Sequence, residues 1–109
     1  MNAIQVTTTT ETIDEAKRIA RALVEGRLAA CVQIIGPITS IYRWEGAVEE
    51  SAEYQCVVKT RADRYHQVEA MIREHHSYDV PEIIAVSVVN GSEPYLYWLN
   101  QCCTRENND

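Results

Sequence analysis

Phenylalanine is absent from this chain of 109 residues, and glycine occurs only four times. The lone glycines make no P-loop and no GxGxxG pattern, so the phosphate-cradling loops of nucleotide-binding folds are missing. Positive charge is scarce as well. Ten Lys and Arg face 16 Asp and Glu, a net charge of −6. That balance opposes binding to nucleic-acid phosphates, which takes clustered cations. It suits cations or other proteins as partners. No apolar run approaches the roughly 20 residues that span a bilayer. The start, "MNAIQVTTTT", has neither the basic nor the apolar part of a signal peptide. Four cysteines are present without CxxC spacing, and two of them, Cys102 and Cys103, are neighbours. Reduced thiols in a cytoplasmic protein are expected.

What is present reads as one domain over residues 1–103 with a polar tail, 104–109, expected to be disordered. Residues 3–9 are β-branched and predict a strand. "TIDE" follows as a capping box, with Thr12 capping a helix and Glu15 reaching back to the Thr12 amide. Ala16, Ile19, Ala20, Leu23 and Val24 form one helical face, and Gly26 stands where a left-handed C-cap is wanted. Residues 28–44 predict a long strand interrupted at Gly36-Pro37, "EGA" a turn, and residues 52–60 the returning strand. Thr60 is expected to cap a helix over 61–76 with Tyr65, Val68, Met71 and Ile72 inward. "EIIAVSVV" after Pro81 predicts a buried strand, and Ser92 with Pro94 opens a last helix carrying Tyr95, Leu96, Trp98 and Leu99.

The order is β-α-β-β-α-β plus a C-terminal helix, an α+β ferredoxin-like pattern. Its hairpin is too long for the domain. A strand over residues 28–44 at roughly 3.3 Å per residue extends about 56 Å, whereas a compact chain of this size is about 34 Å across. The hairpin must bend at Gly36-Pro37 or project, and a projecting hairpin needs a second subunit to pair with it.

Several chemistries of this scaffold lack their residues here. The third strand, "EYQCVVKT", has no RNA-stacking pair of aromatics, and the first loop, "TTTTET", has neither a CxxC nor a phosphate-binding arginine. Cys31 and Cys56 lie in apolar strands and are expected to be buried and structural; Cys102 and Cys103 are expected nearer the surface. Trp44 at a hairpin tip needs something to pack on, and a second subunit is the simplest candidate. Glu49 and Glu50 beside it read as a solvated acidic turn. Lys59 is either a surface charge or a partner for an acid such as Glu82. In "HHSYDVPEII", His75 and His76 stand at a helix end, where adjacent side chains point about 100° apart. They are either a polar helix terminus or, with Asp79, Glu82 or a neighbouring subunit, a weak site for Cu²⁺ or Zn²⁺.

Together "LAACVQI", "SIYRWEG", "VVKT", "HHSYDVPEIIA" and "YLYWL" resemble the CutA family of divalent-cation-tolerance proteins over about residues 4–102. The resemblance implies a tight ferredoxin-like homotrimer whose hairpin arms extend an intermolecular sheet. It implies a cytoplasmic protein with a part in tolerance of copper and other divalent metals, no established reaction, and an architecture like that of the PII signalling trimers. The residues matching the family's subunit-boundary pockets are Tyr42, Trp44, Lys59, Tyr78, Glu82 and Trp98. A copper site described in the family joins the double histidine, here His75 and His76, to a first-strand cysteine. That position falls on Thr8, whose hydroxyl is a far poorer copper ligand. Two readings follow, neither of them an enzyme. One is a trimer binding a metal or small ligand at its subunit boundaries; the other is a scaffold or PII-like signalling protein acting through protein partners.

Overall fold

A computed structural model describes residues 2–104 of the chain. Strand β1, Ala3–Thr10, is the central element, because its β-branched residues pair on both sides. Helix α1, Ile13–Glu25, follows at once, with Thr12 Oγ1 accepting the Glu15 amide at 3.1 Å. Only half of the expected capping box forms, since the Glu15 carboxylate is drawn to Ser77 instead. The C-terminal turn also differs. Gly26 keeps φ −84, and Arg27 takes the left-handed conformation at φ 60.

Strands β2, Cys31–Trp44, and β3, Ala47–Arg61, form the long hairpin. Its tip, Glu45-Gly46, has φ 50 and φ 84, the positive pair that a two-residue hairpin turn with right-handed twist requires. The register shifts between Ile35 and Ile38, so Gly36-Pro37 is a bulge. Gly36 is needed there: a Cβ would come within 2.6 Å of the Tyr54 ring. The arm projects as expected, giving extents of 48 × 28 × 21 Å and a radius of gyration of 14.6 Å, above the about 13 Å of a compact domain this size.

A short 3-10 turn, Ala62–Arg64, precedes helix α2, Tyr65–His75. The helix thus starts later than the sequence suggests and has no side-chain cap. Thr60 is turned inward, donating its hydroxyl to the Leu28 carbonyl at 2.6 Å. Strand β4, Ile84–Ser87, and helix α3, Glu93–Cys102, complete the chain, with Ser92 Oγ accepting the Tyr95 amide as the expected cap. The sheet order is β2-β3-β1-β4, antiparallel throughout, the ferredoxin-like arrangement.

One face of the sheet buries Val6, Cys56 and Val58 against Ala16, Ile19 and Leu23 of α1 and Val68 and Ile72 of α2. A smaller cluster joins Ala3 and Ala30 to Leu99 and Cys103 beneath α3. Cys103 is therefore buried rather than near the surface, with its Sγ 3.6 Å from Thr60 Oγ1, and Cys31 is only half-buried. The larger correction concerns β4. It has four residues and every one is exposed, because it pairs with β1 alone at the sheet edge. Residues 105–109 of the expected polar tail lie outside the described residues. Among the described residues, no helix is long and apolar enough to cross a membrane.

Candidate ligand cleft and the double histidine

The chain leaves α2 at His76, whose extended backbone ends the helix and swings its ring inward. That imidazole is wholly buried. Its Nε2–H donates to the Thr9 carbonyl at 2.8 Å, and its Nδ1 accepts the Tyr78 amide at 3.2 Å. Both partners are fixed backbone groups, so the neutral Nε2–H tautomer satisfies them together. Glu15 stands 3.5 Å from the same Nδ1. Its carboxylate accepts the Ser77 amide at 2.7 Å and the Ser77 hydroxyl at 3.0 Å. His75 stays on the helix, where Nδ1–H donates back to the Met71 carbonyl at 3.0 Å.

The two rings consequently do not converge on one ion within a protomer. His76 has both nitrogens engaged, whereas His75 Nε2 has no hydrogen-bond partner among the described residues. Thr8, where the resemblance would place a copper-binding cysteine, is fully buried, and its Oγ1 has no hydrogen-bond partner among the described residues. No group of three or more His, Cys, Asp or Glu among the described residues is placed to hold a metal ion.

The His76 anchor holds the next segment, 78–82, against the base of the arm. Tyr78 packs its ring 4.9 Å from that of His76 and donates its hydroxyl to Glu53 Oε2 at 2.8 Å. Burial, with the Glu53 carboxylate adding to it, pushes the Tyr78 phenol well above its ordinary range. Between arm and segment lies a cleft of about 890 Å³. It is lined by Tyr42 and Trp44 of the arm, by Tyr78 and Glu82 of the segment, and by Glu53 and Glu11. The Tyr42 hydroxyl lies 3.2 Å from Ser51 Oγ on the paired strand.

Of the residues expected at subunit-boundary pockets, Tyr42, Trp44, Tyr78 and Glu82 share this one cleft. Lys59 and Trp98 lie elsewhere in the protomer. Lys59 donates from Nζ to Gln33 Oε1 at 2.7 Å on the adjacent strand, and Trp98 on α3 stacks at a tilt on Tyr95, 5.4 Å away. Sequence reasoning passed over Glu53 among the acids of the hairpin. Strand alternation does not reveal it, since Glu53 has the parity of the exposed Glu49 and lies on the sheet face opposite the buried Cys56, Val58 and Thr60.

The same architecture recurs in known proteins. The profile of the CutA1 divalent ion tolerance protein family matches residues 4–102. Protein CutA of Mus musculus is 48% identical over 86 residues, which are 79% of this chain and 49% of the mouse protein. The chain thus spans about half the length of that relative. The divalent-cation tolerance protein CutA of Thermus thermophilus is 45% identical over 86 residues, covering 79% of this chain and 84% of the relative. Among solved structures, the periplasmic divalent cation tolerance protein CutA of Archaeoglobus fulgidus superposes with a TM-score of 0.91 at 35% identity, covering 94% of this chain and 99% of that one. By the family match over residues 4–102, the sequence identity and the shared fold, the chain belongs to the CutA1 divalent ion tolerance protein family.

Proposed function

We propose that the protein acts in divalent-metal tolerance as a cytoplasmic homotrimer, a non-catalytic binding protein that takes a metal ion or small ligand at its subunit boundaries. Strand β4 carries this reading. Ile84 is 56% and Val86 59% exposed on an edge strand whose outer backbone groups have no neighbour in the sheet. Such an apolar edge invites pairing with another chain. The arm is the complementary part, with Ile41 and Val48 exposed along the face turned away from Tyr42 and Trp44. In a ring of three copies each arm runs along its neighbour and covers both surfaces.

The metal role follows family membership and the divalent-cation tolerance named for the Thermus relative. Cu²⁺ or Zn²⁺ would meet the open Nε2 of His75, with Asp79, Glu82 or a neighbouring copy completing the ligand set. His76 serves better as the anchor of the 77–78 turn. The cytoplasmic placement rests on four free thiols.

Sedimentation at micromolar concentration tests the assembly, and a trimer is expected; a monomer refutes it. A calorimetric Cu²⁺ titration of the reduced protein, beside His75→Ala and the His75→Ala/His76→Ala double variant, tests the metal. Saturable binding lost in both variants supports direct coordination. Binding that both variants retain removes the histidines from the site.

A further inference from the structure

Glu53 is 8% exposed, yet its carboxylate has no ion pair among the described residues. Oε2 accepts the Tyr78 hydroxyl, and no donor among the described residues reaches Oε1. A carboxylate set so deeply is costly to keep without a counter-charge. Within the protomer, the cleft that Glu53 lines adds three further carboxylates, those of Glu11, Asp79 and Glu82, and no Lys, Arg or His stands in its wall among the described residues. It also holds the rings of Tyr42, Trp44 and Tyr78.

We propose that this cleft binds a small organic cation, with ammonium or guanidinium groups on an apolar chain, and that Glu53 is its innermost anchor. The inference rests on reading the cleft as a ligand site and narrows the ligand to one chemical class. Aromatic faces attract ammonium and guanidinium groups through the ring quadrupole. Carboxylates spread along the walls suit charges spaced along a chain, whereas a hard divalent ion needs several oxygens converging on one point. That convergence is missing here. The volume of about 890 Å³ falls within the range of small-molecule sites, about 300–1,000 Å³, and far exceeds the space one ion needs. An anion would meet only repulsion.

The test is an NMR titration of the assembled wild-type protein with putrescine as the diammonium probe, beside butanediol, butanoate and copper(II) chloride. The chain has two tryptophans, so the Trp44 indole reports the cleft and the Trp98 indole serves as the control. Putrescine is expected to shift the Trp44 signal saturably and leave Trp98 unmoved, while butanediol, of the same length without charge, has no effect. Glu53→Gln should weaken putrescine binding by about tenfold or more, the effect of losing a charge-assisted hydrogen bond. An equal shift from butanediol overturns the proposal without reliance on any variant, and so does unchanged affinity in a correctly assembled Glu53→Gln protein. If copper or butanoate shifts Trp44 and putrescine does not, the cleft stands as a ligand site and the organic cation falls. If no probe shifts it, both readings fall.

Discussion

Glu15 and Ser77 are 62 positions apart in the chain, yet the Glu15 carboxylate accepts both the Ser77 amide, at 2.7 Å, and the Ser77 hydroxyl, at 3.0 Å. The pair ties the first turn of α1 to the segment that carries Tyr78 into the cleft. Glu15→Ala removes both charge-assisted hydrogen bonds to Ser77, so a loss of about 1–3 kcal/mol is expected in denaturant unfolding. Glu15→Gln keeps one acceptor and should lose less. Equal stability of Glu15→Ala and the wild type would show that the tie contributes nothing.

The double histidine divides into two unlike residues. His76→Ala removes a fully buried ring together with the partner of the Tyr78 amide, so about 2 kcal/mol or more of stability should go. His75 makes one bond, to a carbonyl of its own helix, and His75→Ala should stay within about 1 kcal/mol of wild type. Comparison of the two unfolding midpoints checks this. A larger cost at His75 would reverse the assignment of roles.

How far the sequence reveals this molecule depends on the range of the signal. The apolar face of α1, the Ser92 cap with Pro94, and the projecting hairpin all follow from local periodicity, turn chemistry and strand length. Strand β4 does not. An apolar run such as "EIIAVSVV" reports that its residues avoid water, and nothing local tells whether the cover is the same chain or another copy. Arg27 displaces Gly26 at the left-handed position because the chain turns one residue later, and no periodic pattern fixes that count. The cleft is least legible, since Tyr42, Glu53 and Tyr78 meet only through the bulge at Gly36-Pro37 and the inward swing of His76.

An acidic residue on the exposed strand should separate folding from assembly. Val86 is exposed in the protomer, so Val86→Asp leaves the core intact, and the monomer's circular dichroism should match the wild type. In the proposed trimer the same carboxylate would be buried without a partner. Sedimentation should therefore shift from trimer to monomer. A Val86→Asp protein that remains trimeric would place the interface elsewhere.

Stability should also decline in alkali. Burial first, then the nearby Glu15 carboxylate, pushes the Cys56 thiol from 9.0 up to about 11. The unfolded chain releases this proton at lower pH than the folded one, so ionisation favours unfolding. The thiol's contribution is fully present below pH 9.0 and is lost as pH rises toward about 11. Unfolding free energies measured across that window should fall less steeply in Cys56→Ala. Parallel slopes would assign the alkaline loss to other groups, such as Tyr78.

Thr8 offers the most direct test of the core. Its side chain is fully buried opposite Cys56 on β3, and Oγ1 is a buried side-chain polar atom without a partner. Valine has nearly the same shape and carries a methyl where threonine has the hydroxyl. In most cores the replacement costs a hydrogen bond, but here none is made, and the desolvation of an unsatisfied hydroxyl is relieved. Thr8→Val should therefore raise the unfolding free energy by about 1 kcal/mol, a gain readable as a higher denaturant midpoint at unchanged slope. A loss of similar size would mean that the hydroxyl has a bonded partner in solution, with an internal water the natural candidate.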